Sequence, residues 1–523
     1  MTKKTDIIIA GGGLAGLGLA HQLISKTPDA DITVLEKYSF PRPKAISKVG
    51  ESTVEIGSRY LSHTLGLQKH LETDQLKKFG IRMFFGDPAQ DFSMQDELGA
   101  SQAFGIPTYQ VDRGSLENQL AQEVQARGVK IIDNASIDSL AINDKQHKVR
   151  INSAGDPLDI ETQWLLDASG RASLVKKRME LTEKNSHKSN AIWFRIDRRI
   201  EVDSWTHDEA WQNRCEPRGQ RWLSTNHLVG PGYWVWIIPI GSTVTSIGIV
   251  MDDTAFIDAA IDSRISAMRW LHKNQPRCAE AIEGASFLDF VVLKDYSYSC
   301  KRLFSADKWA ITGEAGVFTD PFYSPGSDLI AIGNSFIADI VTAQIDGEDF
   351  RMKSALFENI FKSIYTNTLS LYAGLYGGFG DRKMMSVKLL WDYSYYWGVL
   401  SLLYFNDALA DLKILQVVNP LLQRAQLLNM EMQKQFAARA NMRLTLDNRG
   451  VFMDQYQIPC LHHFNKALMR ADGANTLVQL KENLDFLEII ADAVKDMLSS
   501  GRESHGSDAQ ADLIGDYRRF VQA

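Results

Sequence analysis

The chain has 523 residues, of which 45% are apolar and 23% are charged. This length is enough for two or three domains with a large core, and the composition is ordinary for a soluble globular protein. The net charge of −7 gives no indication of nucleic-acid binding. The sequence enters a strand pattern directly, so we expect no signal peptide. We also expect no transmembrane segment, because the most apolar stretch, residues 389–405, is short and contains Asp392.

The cysteines are scattered and form no CxxC pair. They are Cys215, Cys278, Cys300 and Cys460. This spacing argues against a zinc site and against a disulfide framework. We therefore expect a protein without a bound metal in a reducing, cytoplasmic compartment.

The first segment combines a buried strand, a glycine-rich turn and a helical pattern. GGGLAG follows the apolar strand that ends at Ala10 and matches G-x-G-x-x-G, and a second strand, ITVLE, ends in an acid. The first glycine allows a tight turn, the second lets the backbone approach a pyrophosphate, and the third lets the helix pack on the strand. The helix N-terminus faces the phosphates, and the acid can bind ribose hydroxyls. Together they predict a dinucleotide site made of Gly11, Gly13, Leu14, Ala15, Gly16 and Glu36.

Residues 75–85, QLKKFGIRMFF, alternate in polarity and predict one strand. One face would carry Phe79, Ile81, Met83 and Phe85, and the other Lys78, Gly80, Arg82 and Phe84. Lys77 falls on the apolar face, so its ammonium is harder to accommodate than that of Lys78. From the pattern alone, a lysine in such a strand is most often solvated.

Three later stretches predict βα or loop-to-helix transitions. TYQVDRGSLENQL (108–120) predicts a helix that begins at Arg113. WLLDASGRAS (164–173) is a strand that ends at Asp167, and KWAITGEAGVFTD (308–320) is a strand that runs into Gly313 and Glu314. Each of them alone is consistent with an ordinary turn.

PGYWVWIIPI (231–240) predicts a strand. Alternation places Trp234, Trp236, Ile238 and Ile240 on one face. From the pattern alone, the two tryptophans are core residues.

GVFTDPFYSPGSD (316–328) predicts a stiff turn before a helix that resumes at Leu329. It contains Pro321, Tyr323, Ser324 and Pro325. Because Pro325 lacks a backbone N–H, it removes one donor from a place where helix starts often bind anions.

From about Arg351 onward the pattern is helical. The aromatic-rich stretch 390–405 is interpreted as a helix buried against the rest of the protein. The alternative is an apolar lid or groove for a large or carrier-bound substrate. His462 and His463 have no accompanying ligand set and are interpreted as structural.

Two patterns resemble the signatures of the flavin-dependent halogenases, which are FAD enzymes with the p-hydroxybenzoate hydroxylase fold. Residues 234–239 match W-x-W-x-I-P, and Phe318, Pro321, Ser324 and Gly326 match F-x-x-P-x-x-S-x-G. The resemblance covers about residues 5–345. It implies an α/β (α+β) fold with a Rossmann-like FAD domain, an antiparallel-sheet substrate domain and a helical C-terminal region. We assign the FAD domain to residues 1–75, 106–175 and 292–345. We assign the substrate domain to residues 76–105 and 176–291, and the helical region to residues 346–523.

The resemblance implies further FAD contacts in the strap-like loop 42–53, in the helix at 113 and at the later strand ends. These candidates are Lys48, Gly50, Glu51, Ser52, Arg113, Asp167, Gly313, Glu314, Pro321, Gly326 and Ser327. Glu314 stands where the related enzymes have aspartate. Only one G-x-G-x-x-G is present, so we expect no NAD(P)H site and a separate flavin reductase as partner.

The resemblance also implies catalytic roles. Lys78 begins a K-x-G like that of phenol- and pyrrole-directed members. In the family, halide attacks a flavin C4a-hydroperoxide, and a lysine presents the resulting hypohalous acid to the substrate ring. Ser324 and the amides of Gly326 and Ser327 would bind the halide ion. Trp234, Trp236 and Tyr323 would form the active-site wall.

Two departures from the tryptophan-directed members bear on the substrate. Pro325 replaces their threonine, and Tyr323 replaces their glutamate. Electron-rich phenols, pyrroles or indole-like rings, free or carrier-bound, are therefore expected, with reduced FAD, O₂ and halide as co-reactants. The alternatives are an aromatic monooxygenase on the same scaffold, and a flavin-binding protein without turnover if Lys78 is solvated. The sequence leaves open whether the chain forms a homodimer.

Overall fold

A computed structural model describes residues 2–153, 155–440, 450–470 and 475–499, and Ile514. The chain divides into two units. Unit 1 comprises Met1–Gln75, Val111–Asn185 and Ser297–Thr366, and unit 2 comprises Leu76–Gln110, Ser186–Tyr296 and Asn367–Ala523. Residues 346–523 are predicted to form one helical region, whereas in the structure they are shared between the two units. The end of that region lies outside the described residues.

The described residues contain nineteen strands. They are β1 Thr2–Ala10, β2 Ile32–Leu35, β3 Leu76–Lys77, β4 Ile81–Phe85, β5 Asp96–Gly99, β6 Tyr109–Gln110, β7 Lys130–Ile132, β8 Ala135–Ala141, β9 His147–Ser153, β10 Asp156–Asp167, β11 Thr182–Lys184, β12 Ser189–Ile196, β13 Thr225–Gly230, β14 Tyr233–Ile240, β15 Val244–Asp252, β16 Phe287–Leu293, β17 Tyr298–Cys300, β18 Trp309–Ile311 and β19 Phe452–Asp454.

The same residues form sixteen α-helices. They are α1 Leu14–Lys26, α2 Glu55–Arg59, α3 Gln68–Asp74, α4 Arg113–Ala126, α5 Leu174–Arg178, α6 Glu209–Gln212, α7 Asp253–Ala259, α8 Arg264–Asn274, α9 Pro276–Ile282, α10 Gly326–Ile345, α11 Phe350–Leu369, α12 Arg382–Tyr395, α13 Leu402–Phe405, α14 Leu412–Ala440, α15 Pro459–Met469 and α16 Thr476–Ser499.

The main sheet of unit 1 has the order β7-β2-β1-β10-β9-β8, and β18 also pairs with β10; β11 and β17 form a separate two-stranded sheet. The strands β7, β2, β1, β10 and β18 run parallel. Their register places Ala10 beside both Leu35 and Asp167, and Asp167 beside Ile311. Four carboxyl ends therefore lie level at one edge, which is where open α/β sheets bind ligands.

Helices α1 and α10 pack together in unit 1 around a buried amide. Asn334 donates to the carbonyl of Ala15 at 2.9 Å and to the hydroxyl of Tyr60 at 2.8 Å. Its own oxygen accepts from Thr312 at 2.8 Å. This network ties the glycine-rich turn to the end of β18. Helix α10 is also long and apolar enough to cross a membrane, but 67% of its apolar window is buried, which is typical of a core helix.

Unit 2 contains an eight-stranded sheet with the order β16-β12-β15-β14-β13-β4-β5-β19. Its pairs are antiparallel except β13–β4 and β19–β5. The sheet is therefore mixed rather than fully antiparallel as predicted. Apolar side chains of β12, β13, β14 and β15 pack with α8 and α9 into the core of this unit.

A buried charge cluster lies beside β4 and β5. Glu97 and Arg82 are fully buried and paired, and the Nε of Arg221 lies 2.8 Å from Glu97 Oε1. Arg214 adds a contact of 3.2 Å to the other carboxylate oxygen. Burial alone would raise the pKa of Glu97, but the positive charges of Arg82 and Arg221 outweigh it and lower that pKa. Such a cluster is stable only while all its members are present.

The aromatic-rich helix α12 is buried in unit 2, as its sequence predicts. Lys388 donates to Asp392 at 2.7 Å and to Gln433 of α14 at 2.9 Å, and Trp391 donates to Asn429 at 2.8 Å. Burial lowers the pKa of Lys388, and the carboxylate of Asp392 opposes this shift. Polar residues of this helix therefore have partners inside the bundle.

Candidate active site

The glycine-rich turn after β1 has the geometry of a dinucleotide-binding turn. Gly11 has φ +115°, and a Cβ there would lie 2.3 Å from the carbonyl oxygen of Ala168. A Cβ on Gly16 would lie 1.9 Å from the carbonyl oxygen of Gly11. Both positions therefore require glycine. A Cβ on Gly13 would lie 3.6 Å from Lys48 Nζ and 3.7 Å from Glu117 Oε1, so an ion pair lines the space before the start of α1.

Glu36 directly follows β2 and is 7% exposed. Its Oε2 accepts from the N–H of Gly12 at 2.6 Å, and its Oε1 accepts from the N–H of Tyr38 at 2.9 Å. Arg42 Nη2 lies 3.0 Å from Oε1. The carboxylate is thus fixed at the sheet edge beside the glycine turn, where a ribose would lie.

Three cations surround Glu117, which is fully buried in α4. Lys48 Nζ lies 2.5 Å from Oε2, Arg113 Nη2 lies 2.9 Å from Oε1, and Arg42 Nε lies 3.8 Å from Oε2. Burial lowers the pKa of Lys48, Glu117 opposes this shift, and Arg113 adds to it. Because Arg42 also pairs with Glu36, these three cations face two carboxylates, which leaves a net positive charge that suits a pyrophosphate.

The loop predicted to cross the flavin lies against Arg113. Arg113 Nη1 donates to the carbonyl of Val49 at 2.7 Å, and a Cβ on Gly50 would lie 2.9 Å from the same nitrogen. Glu51 and Ser52 are both 4% exposed, and the carbonyl of Glu51 accepts from Val111 at 2.7 Å. The structure thus brings Gly50 and its neighbours together with Arg113.

Asp167, at the end of β10, organises its own turn. Its two oxygens accept from the N–H groups of Ser169 at 3.0 Å and Val175 at 2.7 Å. Burial raises its pKa, and these bonds oppose the shift. Its direct contact with FAD stays a prediction.

The turn after β18 begins at Gly313, which has φ +60° and closely approaches the start of α1. A Cβ on Gly313 would lie 3.0 Å from the Cβ of Ala15. Glu314 pairs with Arg171 at 3.1 Å, and both side chains are partly exposed. Glu314 therefore lies at the edge where the parallel strands end, and its carboxylate forms an ion pair with Arg171 of the neighbouring turn.

The segment before α10 has an unusual backbone. Tyr323 and Ser324 both have left-handed φ values, +67° and +58°. Ser324 donates to the carbonyl of Pro321 at 2.9 Å, which closes the turn. Two consecutive left-handed residues other than glycine cost free energy, and such strain is concentrated at functional sites.

Helix α10 starts with donors that lack protein acceptors. Pro325 is the N-cap, with φ −75° and ψ −6°. Among the described residues, none accepts from the N–H of Gly326 or Ser327, and the buried Oγ of Ser327 also has no partner. A Cβ on Gly326 would meet nothing within 4 Å. The start of this twenty-residue helix is therefore suited to an anion.

In unit 2, the expectation of one strand over residues 75–85 is wrong. Strand β3 ends at Lys77 and β4 begins at Ile81, and Gly80 between them has φ +79°. Because of the break, strict alternation does not assign the faces of the two lysines correctly. Lys77 is exposed, whereas Lys78 is 4% exposed. Its backbone N–H donates to the carbonyl of Thr108 at 2.8 Å.

Lys78 lies near a buried aromatic group. His227 of β13 is buried, its Nδ1 lies 3.1 Å from the carbonyl oxygen of Arg82, and its ring centroid lies 5.4 Å from that of Trp234. Burial lowers the pKa of His227 to about 3, and the charge of Lys78 contributes to this shift. His227 is therefore neutral at physiological pH.

The two tryptophans of β14 are buried and close to each other, with centroids 5.7 Å apart. Trp234 Nε1 donates to the hydroxyl of Tyr376 at 3.1 Å, and Trp236 Nε1 donates to Ser246 at 3.3 Å. Both indoles thus have fixed orientations. Their placement agrees with the core interpretation, and their role as a wall stays a prediction.

Comparison with known proteins supports one family. Residues 4–253 match the family described as FAD binding domain. The flavin-dependent halogenase chlA of Dictyostelium discoideum is 26% identical over 427 residues, which cover 76% of this chain and 70% of that protein. The 1H-pyrrole-2-carbonyl-(peptidyl-carrier protein) chlorinase of Pseudomonas fluorescens is 26% identical over 373 residues, 67% of this chain and 78% of that protein. The FAD-binding domain and these relatives together support the flavin-dependent halogenase family for this chain.

Solved structures of halogenases share the fold. Halogenase PltM aligns over 98% of both chains with a TM-score of 0.68 at 16% identity. CmlS, a flavin-dependent halogenase, aligns over 76% of this chain and 65% of its own with a TM-score of 0.56 at 19% identity. At these identities the likeness shows the fold alone, and it confirms the predicted α/β class.

The residues present in this halogenase fit FAD. Gly13 and the cluster around Glu117 would bind the pyrophosphate, and Glu36 would bind the ribose. Sequence reasoning missed Glu117 and His227. Glu117 could have been found, because it lies one helical turn after Arg113 on the same face of α4. A lone histidine in an apolar strand such as β13 gives no comparable signal.

Proposed function

We propose that this halogenase transfers a halogen to an electron-rich aromatic ring, such as a phenol, a pyrrole or an indole-like ring. The observation that carries the proposal is the burial of Lys78 in a chain of the halogenase family. A lysine side chain is rarely buried to this extent, and burial places its ammonium away from bulk water. The alternative of a flavin-binding protein without turnover would fit a solvated Lys78, whereas the side chain is 4% exposed.

Bound reduced FAD, with O₂, would supply the oxidising equivalents that convert halide to hypohalous acid. Lys78 would then bind the hypohalous acid by donating a hydrogen bond from its ammonium, or would react with it as the neutral amine to form a haloamine and release water. Burial excludes water that would otherwise compete for this reactive species. The neutral imidazole of His227 adds no second positive charge beside Lys78.

The halide would bind at the start of α10, on the N–H groups of Gly326 and Ser327 and beside the hydroxyl of Ser324. Three observations support this assignment: the length of the helix, the absence of protein acceptors for these donors among the described residues, and the unpartnered buried Oγ of Ser327. Pro325 limits the donor set to fewer groups than a threonine would give.

The substrate class follows from ring reactivity and from one relative. Tyr323 stands where tryptophan-directed enzymes carry a glutamate, so a ring that needs little activation is the better fit. The chlorinase of Pseudomonas fluorescens is named for a pyrrole carbonyl group on a carrier protein. We include in the proposal a free or carrier-bound substrate, a separate flavin reductase and a cytoplasmic location. The curated relatives reported above are named as halogenases and do not favour the hydroxylase alternative.

The proposal is tested by comparing Lys78→Ala with Lys77→Ala. The two lysines are adjacent, but only Lys78 is buried, so Lys77 is a matched control. We expect Lys78→Ala to abolish halogenated product while O₂ consumption with reduced FAD continues, because the flavin chemistry does not need the lysine. Lys77→Ala should behave like the parent enzyme. Undiminished halogenated product from Lys78→Ala would refute the role of this lysine.

A further inference from the structure

Lys176 is a buried lysine that no part of the proposed reaction uses. It lies in α5 of unit 1 and is 4% exposed. Its Nζ donates to the carbonyl of Gly316 at 2.9 Å and lies 3.9 Å from the ring centroid of Tyr298. A hydrogen bond to a carbonyl and a cation–π contact together compensate part of the cost of burial.

Tyr298 binds the same turn from a second side. Its hydroxyl donates to the carbonyl of Glu314 at 2.7 Å. Its backbone N–H and carbonyl exchange hydrogen bonds of 3.0 Å with Phe318. Lys176 and Tyr298 together therefore hold the turn of residues 313–318 at Glu314, Gly316 and Phe318, and Arg171 and Tyr365 add contacts at its two ends.

These contacts set the direction of the peptide planes. Because a trans peptide points its C=O and N–H in opposite directions, the carbonyl of Glu314 directed at Tyr298 leaves the N–H of Ala315 on the opposite side. Within the described ranges, no residue accepts from that N–H. The turn follows β18 at the edge where the parallel strands end, beside the turn at Gly11 that fits FAD.

We propose that Lys176 and Tyr298 are positioning residues for FAD. By binding the carbonyls of Gly316 and Glu314 they fix the turn 313–318 in the orientation that the cofactor contacts. Neither residue touches the cofactor in this account. The inference uses only the FAD binding of the family and is independent of the role of Lys78.

The charge of Lys176 gives the arrangement a pH dependence. The titratable groups around it are Asp167, Cys300, Lys177 and Tyr298. Burial lowers the pKa of Lys176 to about 8, and Cys300 and Asp167 oppose this shift. Above that pH the amine becomes neutral, so its bond to Gly316 weakens and the cation–π contact is lost. FAD affinity should therefore decrease as the pH rises through about 8.

The test measures FAD dissociation constants of the purified full-length apoprotein by flavin fluorescence. Lys176→Met should weaken FAD binding about tenfold or more at pH 7, which corresponds to one charge-assisted hydrogen bond. Lys176→Arg should restore most of the affinity because it keeps the charge. Lys177→Met, an adjacent and exposed position on the same helix, is the control and should leave affinity unchanged.

The pH series separates positioning from general stability. The parent protein should lose FAD affinity between pH 7 and pH 9, whereas Lys176→Met should show a flat profile. Tyr298→Phe is a small change that removes only the bond to Glu314, and it should also weaken FAD binding. This variant keeps the test valid if Lys176→Met fails to fold. Parent-like FAD affinity in both Lys176→Met and Tyr298→Phe would overturn the proposal. The proposal would also be overturned if these variants lowered the melting temperature of the apoprotein without changing its FAD affinity.

Discussion

Replacing Pro325 with threonine should change the halide preference of the enzyme. Pro325 is the N-cap of α10, with φ −75° and ψ −6°, values that a threonine adopts without strain. The substitution would add one backbone N–H next to those of Gly326 and Ser327. It therefore isolates the effect of a single donor at the proposed halide site.

The magnitude follows from the value of one charge-assisted hydrogen bond, about 1–3 kcal/mol. At about 1.4 kcal/mol per factor of ten, the parent enzyme should bind halide about ten- to a hundredfold more weakly than the Pro325→Thr variant. Chloride is more strongly hydrated than bromide or iodide. Its binding affinity is therefore reduced most when fewer protein donors replace its water. We expect the parent to prefer bromide or iodide, and Pro325→Thr to improve chlorination.

The assay is product analysis by mass spectrometry with equimolar halides in competition. Pro276→Thr is a suitable control, because Pro276 also lies at a helix N-terminus, as the first residue of α9 in unit 2. That variant should keep the halide ratio of the parent. Efficient chlorination by the parent enzyme, or an unchanged halide ratio in Pro325→Thr, would refute the donor argument.

Three further predictions concern stability and electron supply. Glu97→Gln should lower the free energy of unfolding by about 3–5 kcal/mol in denaturant melts, because it leaves Arg82 and Arg221 buried without their carboxylate; a loss below 1 kcal/mol would contradict this. Because the pKa of Lys176 falls to about 8 on folding, the unfolded state binds more protons between about pH 8 and 10.5. Apoprotein stability should therefore rise with pH across that window in the parent and rise less in Lys176→Met, as thermal melts at several pH values would show. NADPH alone should not reduce the bound flavin at a useful rate, because the one dinucleotide fingerprint binds FAD; rapid anaerobic bleaching by NADPH without a reductase would show that this is wrong.

The FAD-binding edge could be predicted from sequence because its geometry depends on local constraints. Gly11 and Gly16 are placed where a Cβ would collide with backbone, and Glu36 directly follows β2. Such requirements act within a few residues of each other in the chain. Residue type and spacing therefore identify them without knowledge of the tertiary structure.

The placement of Lys78 could not be predicted from alternation. The pattern of residues 75–85 fits a continuous strand, but Gly80 takes a left-handed φ and divides it into β3 and β4. A glycine inside a strand pattern is a known signal for such a break. Burial of Lys78 rather than Lys77 also depends on the loop that carries Thr108, which is remote in sequence.

Contacts between distant segments also could not be predicted from the sequence. Lys176 meets Gly316 across 140 residues, and neither has a feature that points to the other. The left-handed φ values of Tyr323 and Ser324 could not be predicted, because neither residue type favours them. Pairings of this kind follow from the tertiary fold and not from local propensity.

The central claim is halogen transfer to an aromatic ring, and product analysis tests it most directly. Purified enzyme would be supplied with FAD, a flavin reductase, O₂ and bromide, together with a panel of free and carrier-linked phenols, pyrroles and indoles. The account predicts a brominated product, recognised by its isotope doublet, that requires bromide and disappears in Lys78→Ala. A hydroxylated product that forms equally well without any halide would contradict it.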